Sequence, residues 1–356
     1  MSPRVTLKRI AEKAGVHLST VSLALRNHPS LPAGTRERLQ SLAKEMGYRP
    51  DPMLASLVAY RTSTREASDH GVIAWVDAWR GAKSARAAYP ELWTAAVARA
   101  ASLGWRLEEF RMDQEGLTPV KLSRILRTRN ITGVLIPPLQ TQAGEMELEW
   151  PWFSAVATSH TLLWPPLHRV VPHQMRNMQL LLSELLSRSY KRPGLVIAAE
   201  VNERTRHYWR ATFLDAQQAL PKTRQLPVLL TNADEPDRLI GWFKRQRPDV
   251  IIASDVFTAR EILQANGLDV PGDVGLAGVA FATEAWRPGG QAELDGSFPA
   301  YAGLAGIDER FGVIGESAID TIVAMLHRNE TGIPKVAKHI MIEGLWCDAP
   351  SIRRRE

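Results

Sequence analysis

From Gly71 onward, short apolar runs alternate with longer stretches of helical periodicity, and few folds accept that alternation. "GVIAWV" is followed by a helical pattern through "ELWTAAVARAASLG", then "WRLEEF", a second helix through "PVKLSRILRTRN", and "GVLIPP". The rhythm resumes after residue 172 with a helix through "MQLLLSELLSRS", the strand "PGLVIAA", a helix near "HYWRATFLDAQQAL", then "LPVLLT", "PDRLIGWFKRQ", "DVIIAS", "TAREILQANG" and "GLAGVAF". Apolar strands separated by helices belong to parallel sheets covered on both faces. The pattern therefore predicts two doubly wound α/β lobes, with a ligand cleft at the C-terminal ends of the strands. A helix over "ERFGVIGESAIDTIVAMLHRN" and one last strand over "KHIMIEGLW" complete the expected core.

The first sixty-odd residues obey a different rule. Residues 1–66 carry 11 Lys and Arg against 5 Asp and Glu, whereas the rest of the 356-residue chain carries 33 of each, so the whole net charge of +6 resides at the N-terminus. A small basic module joined to an electrically neutral body is the charge distribution expected of a nucleic-acid-binding protein.

Three short helices are predicted in that module. "VTLKRIAEKAG" places Leu7, Ile10, Ala11 and Ala14 at helical spacing, with Thr6 as N-cap and Gly15 as the left-handed stop. A second helix runs from about Leu18 to Arg26 with Val21 and Leu25 inward, and a third from about Ala33 to Met46 buries Leu39, Leu42, Ala43 and Met46 before Gly47. Three helices with a tight turn after the first describe an all-α helix-turn-helix module. The outward face of the second helix is serine, threonine and leucine. Hydroxyls can bond phosphates or bases, and leucine can pack on a thymine methyl group.

The stretches "VTLKRIAEKAGV", "STVSLALRN", "TRERLQSLAKEMGYRPD" and "PMLASLVAYR" together resemble the lactose-repressor (LacI/GalR) family of bacterial transcription regulators. The likeness is specific over residues 5–61 and weaker up to about residue 347, where "GVLIPP", "PDVIIASD" and "GLDVPGDVGLAGV" match landmarks of the family's core, which resembles periplasmic sugar-binding proteins. By that resemblance Leu18, Ser19 and Leu23 are base-reading residues, Thr20 and Ser22 contact phosphate, and Arg26 is a further DNA contact. Leu23 stands where many members carry arginine, and His17 where a capping serine is usual. Segment 51–61 corresponds to a hinge helix, with Pro52 in its first turn and Leu57 as the apolar wedge for the minor groove. Ten residues make no stable helix alone in water, so it is expected to fold on DNA.

The implied organisation is a DNA-binding domain over 1–50, the hinge, a polar linker over 62–70 and a two-lobed core over 71–350. The N-lobe is expected at about 71–172 and 303–328, the C-lobe at about 173–302 and 329–350. Strand ends and the family match nominate Asp77, Trp79, Arg206, Ser254 and Asp255 for the effector; Arg and Asp suit sugar hydroxyls and an indole suits a sugar face. Ala280 stands where the family has a ligand-binding aspartate, which argues against an ordinary pyranose held through that carboxylate.

Other classes are poorly supported. The sequence has no phosphate loop, dinucleotide fingerprint, H-E-x-x-H or G-x-S-x-G, so no catalytic residue, metal or cofactor is expected. A single cysteine, Cys347, excludes an internal disulfide. No apolar run spans a bilayer, and the opening "MSPRVTLKRIAEKAG" lacks the core of a secretory signal, so a cytoplasmic protein without membrane contact is expected, nucleoid-associated when on DNA. The expected protein is a homodimeric repressor of a palindromic operator in double-stranded DNA, governed by a small-molecule effector of the sugar or sugar-derivative class. The alternatives are a family regulator controlled by a partner protein instead of an effector, and a cytoplasmic small-molecule-binding protein.

Overall fold

Three helices open the chain: α1 (Leu7–Ala14), α2 (Leu18–Leu25) and α3 (Ala33–Glu45). The computed structural model describes residues 5–25, 30–48, 71–81, 83–114, 117–140, 144–231, 235–281 and 303–353. Arg26, the 51–61 hinge with Pro52 and Leu57, the 62–70 linker and the loop beyond Phe281 lie outside the described residues. Thr6 caps α1 by accepting from the Arg9 amide, and Gly15 ends it at φ +67°, a conformation that side chains other than glycine's rarely adopt. The head closes over Ile10, Ala11, Val21, Ala24, Leu39 and Ala43; Leu25, Leu42 and Met46, expected inside, lie half-buried against that cluster.

The first lobe is a six-stranded, wholly parallel sheet. Its strands are β1 (Val72–Asp77), β2 (Arg106–Arg111), β3 (Gly133–Ile136), β5 (Ser154–Ala157), β7 (His168–Pro172) and β13 (His339–Ile342), in the order β13-β7-β5-β3-β1-β2. β4 (Gly144–Glu145) and β6 (Leu162–Trp164) form a separate small pair. Helices α4 (Ala85–Ala88), α5 (Pro90–Ser102), α6 (Pro119–Thr128) and α12 (Phe311–Arg328) belong to this lobe. Alternate residues of β1 enter different cores. Ile73 and Trp75 meet α5 and α12, while Ala74 and Val76 meet Leu122, Leu126 and Phe153.

The second lobe repeats the plan with β8 (Pro193–Ala198), β9 (Leu229–Thr231), β10 (Val250–Ala253), β11 (Gly275–Phe281), β12 (Ala305–Asp308) and β14 (Leu345–Cys347), in the order β14-β12-β11-β10-β8-β9. Only β14 runs antiparallel. Its helices are α7 (Gln174–Ser187), α8 (Ala199–Arg204), α9 (Tyr208–Gln217), α10 (Pro236–Gln246) and α11 (Val256–Ala265).

The chain passes between the lobes near residues 173, 309 and 343, and two expected boundaries need correction. Residues 305–308 pair in the second sheet, not the first, and 339–342 pair in the first, not the second. The expected last strand "KHIMIEGLW" is thus two strands in two lobes, bent at Gly344. A Cβ at Gly344 would sit 2.6 Å from the Asp308 carbonyl oxygen, so the crossing segments touch backbone to backbone there.

Candidate nucleic-acid interface and ligand cleft

In the head, α2 displays the residues expected to meet DNA. Leu18 and Ser19 are exposed at its N-terminus, while Thr20, Ser22 and Leu23 are half-buried along its flank. His17 replaces a hydroxyl cap with an imidazole: its Nδ1 accepts from the Ser19 amide at 3.3 Å and lies 2.8 Å from Ser19 Oγ. At the other end of α2, Gln40 Nε2 donates to the Ala24 carbonyl at 2.9 Å, satisfying one of the last helical acceptors. The helix is therefore fixed to α3 at one end and capped by its own preceding turn at the other.

In the core, each sheet has a switch point where neighbouring strands lead away in opposite directions: β1 between β2 and β3, and β8 between β9 and β10. Ligands of open α/β sheets bind outside such points. Segments following β1 and β8 meet here through Arg204, at the end of α8. Its guanidinium donates to the carbonyls of Leu139 at 3.0 Å and Gln140 at 2.7 Å, and to Tyr89 Oη at 3.4 Å, all in the opposite lobe.

Beside this clasp lies a cavity of about 120 Å³, walled by both lobes. It is comparable to engineered cavities of about 150 Å³ that hold a six-membered ring. Tyr89, Thr158, His160 and Phe311 contribute from one side, Arg204, Trp209, Ser254 and Ala280 from the other, and Gln174 and Glu309 from the crossings. Glu309 is buried and its Oε1 has no hydrogen-bond partner among the described residues; the same holds for Gln174 Oε1 and Trp209 Nε1. Burial, reinforced by Asp308, pushes the Glu309 carboxyl up to about 8, so it is mostly a neutral donor at pH 7. Burial, aided by Arg169, His339 and Arg206, holds the His160 imidazole down at about 4. A cavity with neutral acid, amide and indole groups unpaired suits a polar ligand rather than a hydrocarbon.

The residues nominated from sequence divide. Ser254 and Ala280 line the cavity. Asp77 is fully buried, but its two carboxylate oxygens accept the Trp79 and Ala85 amides, each at 2.8 Å, so it fastens its own loop. Burial raises its pKa against those bonds. Trp79 is also turned inward, donating through Nε1 to the Pro138 carbonyl at 2.7 Å and meeting Tyr89 edge-on. Asp255 caps α11 by accepting from the Thr258 amide at 3.0 Å. Arg206 is exposed on the turn after α8 and does not line the cavity; Arg204 does. Sequence reasoning missed Arg204, His160 and Glu309. The last two follow β5 and β12, whose short apolar runs "SAVA" and "AGID" were the available signal.

Comparison with known proteins places these features. Residues 6–51 match the model of "Bacterial regulatory proteins, lacI family". A transcriptional regulator CelR in complex with cellobiose is 17% identical, with 98% of this chain and 100% of that one covered at a TM-score of 0.54. A lac repressor dimer bound to operator and the anti-inducer ONPF is 16% identical, covering 98% and 99% at 0.53. A periplasmic binding protein/LacI transcriptional regulator from Alkaliphilus metalliredigens QYMF, complexed with D-xylulofuranose, is 15% identical, covering 80% and 99% at 0.55. At such identities the likeness is one of fold. No curated protein sequence matches the chain. Among the described residues no helix is long and apolar enough to cross a membrane, and no group of three or more His, Cys, Asp or Glu is placed to hold a metal ion.

Proposed function

We propose that this chain, whose residues 6–51 match the lacI family of bacterial regulatory proteins, is a regulator of that family that represses transcription by binding a palindromic operator as a homodimer, under control of a small polar effector in the inter-lobe cleft. The observation carrying the DNA half is the capped α2 with Leu18 and Ser19 exposed at its start, on a head holding all the excess positive charge. In this reading Leu18, Ser19 and Leu23 meet base edges, and Thr20 and Ser22 meet phosphates; Arg26 and Leu57 add the flanking contact and the minor-groove wedge. One head offers too few contacts for useful specificity, and a two-fold dimer matches a palindrome.

The effector half rests on the cavity between the switch points. Ala280 offers no carboxylate, but Glu309 brings a carboxyl to the same cavity, and Gln174, Ser254 and Arg204 complete a polar set for a hydroxylated ligand. A ligand gripping both lobes changes their mutual angle and hence the spacing of the two hinge segments, biasing their folding on DNA. That coupling is reciprocal, so operator must alter effector affinity by the same factor.

Selection of duplexes from a random pool tests the reading, using the full chain beside a fragment ending at residue 48. Enrichment of a palindrome by the full chain, with affinity lost in the fragment, is the expected result. Failure to enrich any duplex overturns it.

A further inference from the structure

Beside the cavity, basic groups from both lobes gather, and among the described residues none of them is paired with a carboxylate. His160 follows β5, Arg169 lies in β7 and His339 in β13, all in the first lobe, while Arg206 comes from the second, on the turn between α8 and α9. The His160 ring lies 6.0 Å from that of His339 and 5.4 Å from that of Tyr208. Arg169 is only 8% exposed, and its guanidinium is locked by donation to the carbonyls of Ser159 at 2.8 Å and Leu162 at 2.5 Å.

Among the described residues no carboxylate acts on His160, Arg169 or His339; their charged neighbours are one another and Arg206, with the Tyr208 phenol beside Arg169. His160 feels Arg169, His339 and Arg206; Arg169 feels Arg206 beside the Tyr208 phenol; His339 feels Arg169. Elsewhere on the core arginines are matched to carboxylates, as in Arg129 with Glu108, Arg111 with Asp113 and Arg188 with Glu184. Holding the buried Arg169 under the repulsion of a second guanidinium costs stability, and such a cost persists where a ligand supplies the missing charge. The backbone adds to it: Arg206 and the following His207 both adopt left-handed φ, +54° and +61°, an unfavourable pair for residues other than glycine. Glu309, the one carboxyl lining the cavity among the described residues, is mostly protonated near pH 7 and so does not neutralise the wall.

We infer that this cluster binds the anionic group of the effector, a phosphate ester or carboxylate on a small polar molecule whose uncharged body fills the adjoining cavity. The inference rests on reading the cleft as the effector site. Arg169 and Arg206 present the anion with charge from opposite lobes, so the ligand bridges the cleft at this wall as well as beside Arg204. An anion seated there also stabilises the imidazolium forms of His160 and His339, so binding takes up protons and strengthens as pH falls toward the free His160 value of about 4.

Sulfate and acetate are the probes, added to the full-length protein at constant ionic strength while the imidazole resonances of His160 and His339 are followed by NMR. Sulfate stands for the phosphate ester and keeps its charge throughout; acetate stands for the carboxylate and is compared above the ordinary carboxyl range, where it is fully ionised. The expected result is saturable movement of both rings, upward-shifted titration midpoints in the bound form, and an affinity lowered about tenfold or more in Arg206→Gln and in His339→Gln. Both substitutions are at exposed positions, so loss of folding does not confuse the outcome. The preferred probe names the anion's chemistry. Rings unmoved by both anions, or an affinity indifferent to both substitutions, overturn the inference. The measurement needs no DNA, so its failure leaves the duplex selection standing, and failure of that selection leaves the anion result standing.

Discussion

Glu309 shows most directly how a single side chain can be set against its own environment. The carboxyl titrates near 4.5 in an unfolded chain and at about 8 in the folded one, because burial and Asp308 both disfavour its charge. Between those values the unfolded state releases the proton and the folded state keeps it, so this group's contribution to stability falls as pH rises from about 5 to about 8. At about 1.4 kcal/mol per unit of pKa, the full effect is on the order of a few kcal/mol. Glu309→Gln retains the shape and removes the titration. Thermal unfolding at about pH 6 and pH 8.5 should show Tm of the native chain falling relative to the variant, the gap widening with pH; parallel shifts in the two proteins would refute this account. The same scale explains why only part of the cleft was legible in the sequence. A carboxylate after a strand reads alike whether it meets a ligand, as expected of Asp77 and Asp255, or ties down backbone amides, as both do here. Arg204 and Arg206 are two residues apart, yet of the two only Arg204, at the end of α8, lines the cavity.

Elements were more readable where their periodicity was long. The three head helices and the β-α alternation of both lobes lie close to where apolar spacing put them, because burial of a repeated face is what the spacing encodes. Strands β5 and β7 escaped notice, being short and set among loops, with Trp150 and Trp152 in a single 3-10 turn before them. The division of "KHIMIEGLW" between two sheets was invisible for another reason. Nothing local marks a change of lobe except Gly344, whose role emerges only when Asp308 is beside it. Close approach also defines the packing of α12 on α5, where a Cβ at Gly315 would lie 2.5 Å from the Leu92 carbonyl oxygen. The obstructing atom is backbone, so relief requires one helix to move. Gly315→Ala should therefore destabilise the protein by about 1–3 kcal/mol despite the better helix propensity of alanine. Denaturant unfolding with an unchanged m-value checks this, and a variant as stable as the parent would show that the two helices have room to part.

Across the whole molecule the decisive question is how tightly the lobes are held before any ligand arrives. Three crossings permit relative motion, and Arg204 restrains it with donations to Leu139, Gln140 and Tyr89 across the cleft. Those bonds join the ends of two rigid sheets, so a loss at this point alters the angle between bodies rather than the structure of either. Bonds to a charged donor contribute about 1.5–3 kcal/mol each in favourable settings, but the partly exposed ones here are weakened by water. Arg204→Ala should thus leave thermal stability nearly unchanged while broadening the range of inter-lobe angles, seen as a larger radius of gyration by small-angle X-ray scattering. If the lobe angle carries the signal to the hinge segments, the same variant must reduce the factor by which cleft ligand changes operator affinity. Coupling of this kind amounts to about 1–3 kcal/mol, or roughly 5–150-fold. Operator titrations with and without ligand measure the factor directly. A variant with expanded lobes but undiminished coupling would separate the clasp from the signal, and would place transmission in the crossings near residues 173, 309 and 343 instead of in the contact across the cleft.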